Sequence, residues 1–170
     1  MSAIQAEHYR GIVIRRADFP CAEKSELIDA ILDRIADNAG IEIPREAVEE
    51  EAAILMQGYT AQRRYQGLAA GRYLDVFLEL NGKREELMEQ FRLQANAELR
   101  AEQVIRGIIE AEHITVTREE LEAEADAVAV RQNATREQVR SFLGEDLAPL
   151  RRDVLEKKSR ELVYDSAVIR

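Results

Sequence analysis

The chain has 170 residues, of which 34% are charged and 5% aromatic, and its formal net charge is −9. This charge argues against nucleic acid or an anionic membrane as the main partner, because both attract clustered positive charge. The single cysteine, Cys21, rules out a disulfide within these residues. We find no leader-like opening and no run near the ~18 apolar residues of a membrane span, and therefore expect a cytoplasmic protein.

The first 40 residues look like a linker followed by one helix. β-Branched side chains in the run 12–14 favour a short strand, which must pair or pack because a lone strand leaves its edges unsatisfied. Apolar residues then recur at three- and four-residue steps over 27–35, which predicts a helix that Gly40 ends. We accordingly divide the chain into this segment, 1–40, and a helical domain, 41–170.

The residues after Gly40 are predicted to be almost entirely helical. Pro44 suits the first position of a second helix, because its missing N–H costs nothing there. A shorter helix is predicted over 72–80, before the turn signal at 81–82. A long charged helix with one apolar side follows, over about 84–112.

The long helix runs into a β-prone elbow at residues 114–116. Thr117 and Glu120 then form a capping box, in which each side chain accepts a backbone N–H that the helix start leaves unpaired. A new helix is therefore predicted over 118–131.

A second capping box follows at Thr135 and Gln138, and it opens a short helix that Gly144 closes. The last helix is predicted over about 146–167. The fold class expected is all-α: an elongated multi-helix domain with projecting helical arms, to which one short strand near the N-terminus can be added.

The sequence offers no catalytic or metal-binding constellation. His8 and His113 lie in different regions, and neither belongs to a pair at metal-ligand spacing. We expect the acidic residues of the 118–131 helix to alternate around a solvated surface; they are Glu120, Glu122, Glu124 and Asp126. Neither enzyme activity nor a cofactor is expected.

Apolar side chains form two clusters that are available for core packing or for binding. The first surrounds one bend: Met56, Tyr59, Tyr65, Leu68, Tyr73 and Phe77. The second lies on the capped helical hairpin: Val128, Val130, Val139, Phe142 and Leu143. Packing inside the monomer is one interpretation, whereas exposed apolar patches usually mark binding surfaces.

Several short motifs follow one another in the order and at the spacings of one known family. They are residues 43–51, 65–68, 73–74, 82–87, 105–109 and 114–121. Together they make the chain from Ile41 onward resemble the C-terminal chaperone domain of bacterial trigger factor. Residues 9–14 look like the extended linker that leads toward the prolyl isomerase domain of that family.

The resemblance implies a helical body with two arms that form a cradle for unfolded or nascent polypeptide, without nucleotide. Tyr65 matches an aromatic contact position of the family, Val139 and Phe142 match apolar ones, and Val128 and Val130 match more loosely. With their apolar neighbours, the candidate polypeptide-binding residues are Tyr59, Tyr65, Leu68, Val128, Val130, Val139, Phe142 and Leu143.

Two features of the family are missing from this sequence. We find no ribosome-docking Gly-Phe-Arg-x-Gly loop and no room for a prolyl isomerase domain, so neither ribosome docking nor isomerase activity is expected. The sequence predicts an ATP-independent holdase that binds exposed apolar segments. The alternative is a helical structural or adaptor protein that uses its apolar stripes for self-association, for example as a homodimer.

Overall fold

The computed structural model describes residues 4–65 and 82–170, without the side chains of residues 63–65. Its helices are α1 (Ala6–Tyr9), α2 (Lys24–Asn38), α3 (Arg45–Tyr65), α4 (Lys83–Ala111), α5 (Arg118–Arg131), α6 (Arg136–Leu143) and α7 (Leu150–Ser166). Two short strands, β1 (Val13–Ile14) and β2 (Val168–Ile169), and a 3-10 turn at Arg16–Asp18 complete the described elements. The predicted all-α class is confirmed, and the helix predicted over 72–80 lies outside the described residues.

The chain divides into two compact units. One comprises residues 1–39 together with 103–170, and the other comprises residues 40–102. The predicted division into a segment 1–40 and a helical domain 41–170 stays a prediction. Within the first unit, the N-terminal segment packs with residues 103–170 through contacts of α2 with α7 and of β1 with β2.

β1 finds its partner at the other end of the chain. The two strands pair in parallel, with Val13 opposite Val168 and Ile14 opposite Ile169. The N–H of Val168 donates to the carbonyl of Ile12 at 2.8 Å, which extends the ladder by one residue. The predicted strand is therefore satisfied by pairing, although the sequence analysis did not predict β2.

The main apolar core of this unit lies along α2. Leu27, Ile31, Leu32 and Ile35 are each at most 1% exposed. They follow one another at the three- and four-residue steps that place side chains on one helix face. The helix ends where the sequence predicts, because Gly40 takes a φ of +62°, a left-handed conformation that glycine adopts without strain.

The N-terminal segment covers the last turns of α4. Ile4 lies against Gly107, where an added Cβ would come within 2.6 Å of the Ile4 side chain. Tyr9 is 1% exposed, and its hydroxyl donates to the Glu112 carboxylate, which also accepts from Arg10 Nη2 at 2.7 Å. The Tyr9 hydroxyl and the Arg10 guanidinium hold the pKa of Glu112 below its usual range.

Candidate functional site

The candidate site is the hairpin of α5 and α6, on which α7 also packs. Both helices of the hairpin begin at the predicted capping boxes. Glu120 N–H donates to Thr117 Oγ1 at 3.3 Å while Thr117 N–H donates to Glu120 Oε2 at 2.8 Å. The reciprocal bonds of Thr135 and Gln138 measure 2.8 and 3.2 Å. Both predicted capping boxes are confirmed, and they fix where each helix starts.

A narrow apolar seam joins the hairpin to α7. Its buried side chains are Leu121, Ala125 and Ala129 of α5, Val139 of α6, Leu147 of the following loop, and Leu150 and Val154 of α7. Two of the three α5 members are alanines, whose small side chains let neighbouring helices approach closely. The seam therefore holds three helices with little apolar volume.

One row of α5 carboxylates faces α7. Glu120 and Glu124, four residues apart and so on the same helix face, accept from Lys158 Nζ at 2.6 Å and from Lys157 Nζ at 3.3 Å. Lys158 also donates to the carbonyl of Thr115 at 2.7 Å, which ties the elbow between α4 and α5 to α7. The Lys158 ammonium and the backbone N–H of the capping box hold the pKa of Glu120 below its usual range.

A second row of α5 carboxylates faces α6. Glu122 pairs with Arg140 and Asp126 pairs with Arg136. The two acids are four residues apart along α5, and their partners are four residues apart along α6 in the reverse order. The two antiparallel helices are therefore joined by two successive ion pairs, which form a ladder. The α5 acids alternate between two sides of the helix as the sequence predicts, but each side meets basic side chains of α6 or α7 instead of open solvent.

The predicted binding residues of the hairpin differ in their exposure to solvent. Val139 is buried in the seam, at 6% exposed, and Val128 and Leu143 are half-buried against it. Val130 and Phe142, by contrast, are 82% and 89% exposed. Free apolar surface on this hairpin is therefore concentrated in one valine and one phenylalanine.

The position of Phe142 follows from the geometry of α6. Arg140 contacts Glu122 and so lies on the side of α6 that faces α5. Phe142 lies about 200° around the helix from Arg140 and about 60° from the buried Val139, which places it at the edge of the side that meets α5. At this edge the Phe142 side chain is 89% exposed to water.

The first predicted cluster belongs to the other unit and is only partly described. Tyr59 of α3 is half-buried, and its ring meets Phe91 of α4 edge-on with centroids 5.8 Å apart. The side chains of Tyr65 and Leu68 lie outside the described residues. Sequence reasoning did not single out Ile54 and Leu93, which are 58% and 66% exposed in this unit.

Catalytic and metal chemistry finds no support in the described ranges. Within residues 4–65 and 82–170, no three His, Cys, Asp or Glu side chains lie close enough together to bind a metal ion. His8 Nδ1 accepts from Gln5 N–H at 3.1 Å, and His113 follows the end of α4 with a φ of +50°. None of the described helices is both long and apolar enough to cross a membrane.

The family model and the relatives that match this sequence all belong to trigger factor. Residues 21–165 match the family described as "Bacterial trigger factor protein (TF) C-terminus". The trigger factor of Caldicellulosiruptor bescii is 30% identical over 148 residues, 86% of this chain and 33% of the relative. That of Streptococcus mutans is 31% identical over 143 residues, 83% of this chain and 32% of the relative. The chain thus spans about a third of the length of these relatives.

A solved structure shares the fold. It is a trigger factor structure from Thermotoga maritima, with a TM-score of 0.61 and 18% identity, and the match covers 100% of this chain and 99% of that chain. At this identity the likeness concerns the fold, whereas the family match rests on sequence over most of the chain. The resemblance read from the motifs is confirmed, and the chain belongs to the trigger factor C-terminal family.

Proposed function

We propose that this protein is an ATP-independent holdase, a chaperone that binds apolar segments of unfolded or nascent polypeptides. The observation that carries the proposal is Phe142, whose side chain is 89% exposed on a hairpin that buries Val139 and half-buries Val128 and Leu143. Val130, 82% exposed on the neighbouring helix, adds a second apolar group. Large apolar side chains left in water on an ordered helix favour a binding role.

The strength of such contacts suits a chaperone that uses no nucleotide. Covering a phenylalanine or valine side chain contributes about 1.5–3 kcal/mol, before the cost of ordering the client. A few such contacts hold a flexible chain only while several act together. Clients therefore leave without an energy source, and the net charge of −9 keeps the complexes soluble.

Side-chain exposure distinguishes the roles that we propose for the predicted residues. Val130 and Phe142 are the primary contacts on the hairpin. Val128, Leu143 and Tyr59 offer part of their surface, while Val139 contributes by holding α6 in place. Tyr65 and Leu68 stay sequence predictions.

The family relationship supports the rest of the proposal. The matching relatives are trigger factors, and the match falls on the C-terminal part of that family. We propose that this part acts as a chaperone in the cytoplasm, without isomerase activity and without docking to the ribosome. A fixed self-associating adaptor is the alternative, and its solution mass would not change when an unfolded client is added.

Aggregation of a chemically denatured model client tests the proposal. The wild-type protein should suppress light scattering at a near-stoichiometric ratio, and the pair Phe142→Ser with Val130→Ser should lose most of that suppression. Leu93→Ser is the matched control, because Leu93 is 66% exposed in the other unit. Unchanged suppression by the hairpin variant, or equal loss in the control, would contradict the assignment to Phe142 and Val130.

A further inference from the structure

The attachment of α6 to the rest of the hairpin depends on few apolar contacts. The helix has eight residues, and only Val139 among them is buried, with Leu143 half-buried. A helix this short is not stable alone in water. Its place on α5 must come from its contacts with neighbouring helices.

Charge supplies much of that contact. The antiparallel ladder joins Glu122 to Arg140 and Asp126 to Arg136. The four side chains are between 23% and 53% exposed, so water and salt ions reach both rungs. Arg140 Nη1 also lies 3.9 Å from Glu145, beyond the end of α6.

α6 and α7 together cover an apolar face of α5. Val139 belongs to the same seam as Leu121, Ala125 and Ala129 of α5, which are 4%, 0% and 8% exposed. Movement of α6 away from α5 would uncover the part of this face that Val139 covers, together with the inner side of α6. The uncovered side chains would lie on the hairpin that also carries Phe142 and Val130.

We propose that α6 is a charge-latched flap, held by the Glu122–Arg140 and Asp126–Arg136 pairs over an apolar face of α5 that serves as additional binding surface for apolar polypeptide segments. The closed flap presents Phe142 and Val130, and the open flap adds the part of the α5 face that Val139 covers and the inner side of α6. The binding role rests on the proposed holdase function, whereas the latch itself is a property of the free protein.

Exchanging the charges of the Asp126–Arg136 pair distinguishes loss of the ion pair from a general loss of stability. Arg136→Asp places two carboxylates opposite each other, and Asp126→Arg with Arg136→Asp restores an opposite pair. Arg45→Asp changes the net charge by the same amount at a residue whose side chain is 90% exposed in the other unit. It is the matched control.

Hydrogen exchange of the α6 amides in the free protein reads the latch directly. Arg136→Asp should raise their exchange rates about tenfold, because an attractive pair is replaced by a repulsive one. The double variant and Arg45→Asp should exchange as the wild type does. Unchanged exchange in Arg136→Asp, or a double variant as fast as the single one, would overturn the latch.

Client capture then tests what the open flap does. Arg136→Asp should suppress aggregation of the denatured client at a lower molar ratio than either the wild type or Arg45→Asp. Fast α6 exchange with unchanged or weaker capture would overturn the binding role of the covered face. A wild type that captures no client would contradict the proposed function, and the exchange rates would still decide the latch.

Discussion

The α2 core and the α5–α6 hairpin belong to the same unit, but different forces hold them. α2 buries large aliphatic side chains, among them Ile31 and Leu32 at 0% exposed. The hairpin buries mainly alanine and single valine or leucine side chains, and it adds rows of ion pairs at its edges. Each exposed ion pair contributes about 0–1 kcal/mol, less than a buried aliphatic side chain. The α2 helix thus buries its large apolar side chains, whereas the hairpin proposed to bind clients leaves Phe142 and Val130 exposed.

Truncating the α2 core should have the largest effect. Ile31→Ala removes a side chain that is 0% exposed, and the cavity should lower the free energy of unfolding by about 2–5 kcal/mol. Urea denaturation followed by circular dichroism measures this loss. Phe142→Ala is the contrasting variant, because the side chain that it truncates is 89% exposed, and its urea midpoint should match that of the wild type. Similar urea midpoints for the two variants would contradict the claim that the α2 core contributes more stability than the exposed side chain of the hairpin.

A smaller effect is expected where the N-terminal segment crosses α4. Gly107→Ala favours the helix by about 1 kcal/mol, but its Cβ would fall within 2.9 Å of Ile4 Cβ. Displacing Ile4 costs about 1.5–3 kcal/mol of apolar burial, so the net result should be a loss of about 1 kcal/mol. The amide of Tyr9 should exchange faster in this variant. Greater stability with unchanged exchange at Tyr9 would show that Ile4 adjusts without leaving.

The first capping box should contribute a similar or smaller amount to the hairpin. Thr117→Ala removes the oxygen that accepts Glu120 N–H at 3.3 Å, at a cost of about 1 kcal/mol. Thr117→Ser keeps an acceptor and is the control. The loss should appear as faster exchange in the first turn of α5. Equal exchange in the two variants would mean that the ion pairs alone fix the helix start.

Replacement of Glu112 should have the smallest effect, and pH should reveal it. The pKa of Glu112 is lowered by Tyr9 and Arg10, so its ionised form stabilises the fold above the ordinary carboxyl pKa. This contribution is lost as the pH falls through the lowered value. The urea midpoints of wild type and Glu112→Gln should therefore differ at neutral pH and converge in acid. A difference that stays constant over that range would contradict the assigned role of Glu112.

Local signals in the sequence predicted most helix boundaries. The capping boxes at Thr117 and Thr135 placed α5 and α6, because their chemistry is contained within four residues. The start of α7 was predicted at about 146 but lies at Leu150. Pro149 disfavours a helical conformation in the residue before it, which moves the start of the helix beyond 146.

The features that the sequence did not predict depend on tertiary contacts. Leu147 takes a φ of +52°, which is unusual for a leucine. Its side chain is 1% exposed in the seam, and this burial stabilises the conformation. Val139 and Phe142 are both apolar and three residues apart, so periodicity alone did not show which one faces α5. The pairing of the α5 acids depends on where α6 and α7 lie, and no local pattern records that.

Site-specific photo-crosslinking to an unfolded client tests the central claim most directly. A benzophenone amino acid at position 142 should crosslink the client, and excess unlabelled unfolded client should compete. The same group at Glu161, an exposed polar position of α7, is the control. The account predicts strong, competable crosslinks at 142 and few at 161. Crosslinks at 142 no stronger than those at 161 would contradict the claim that the exposed phenylalanine of α6 binds clients.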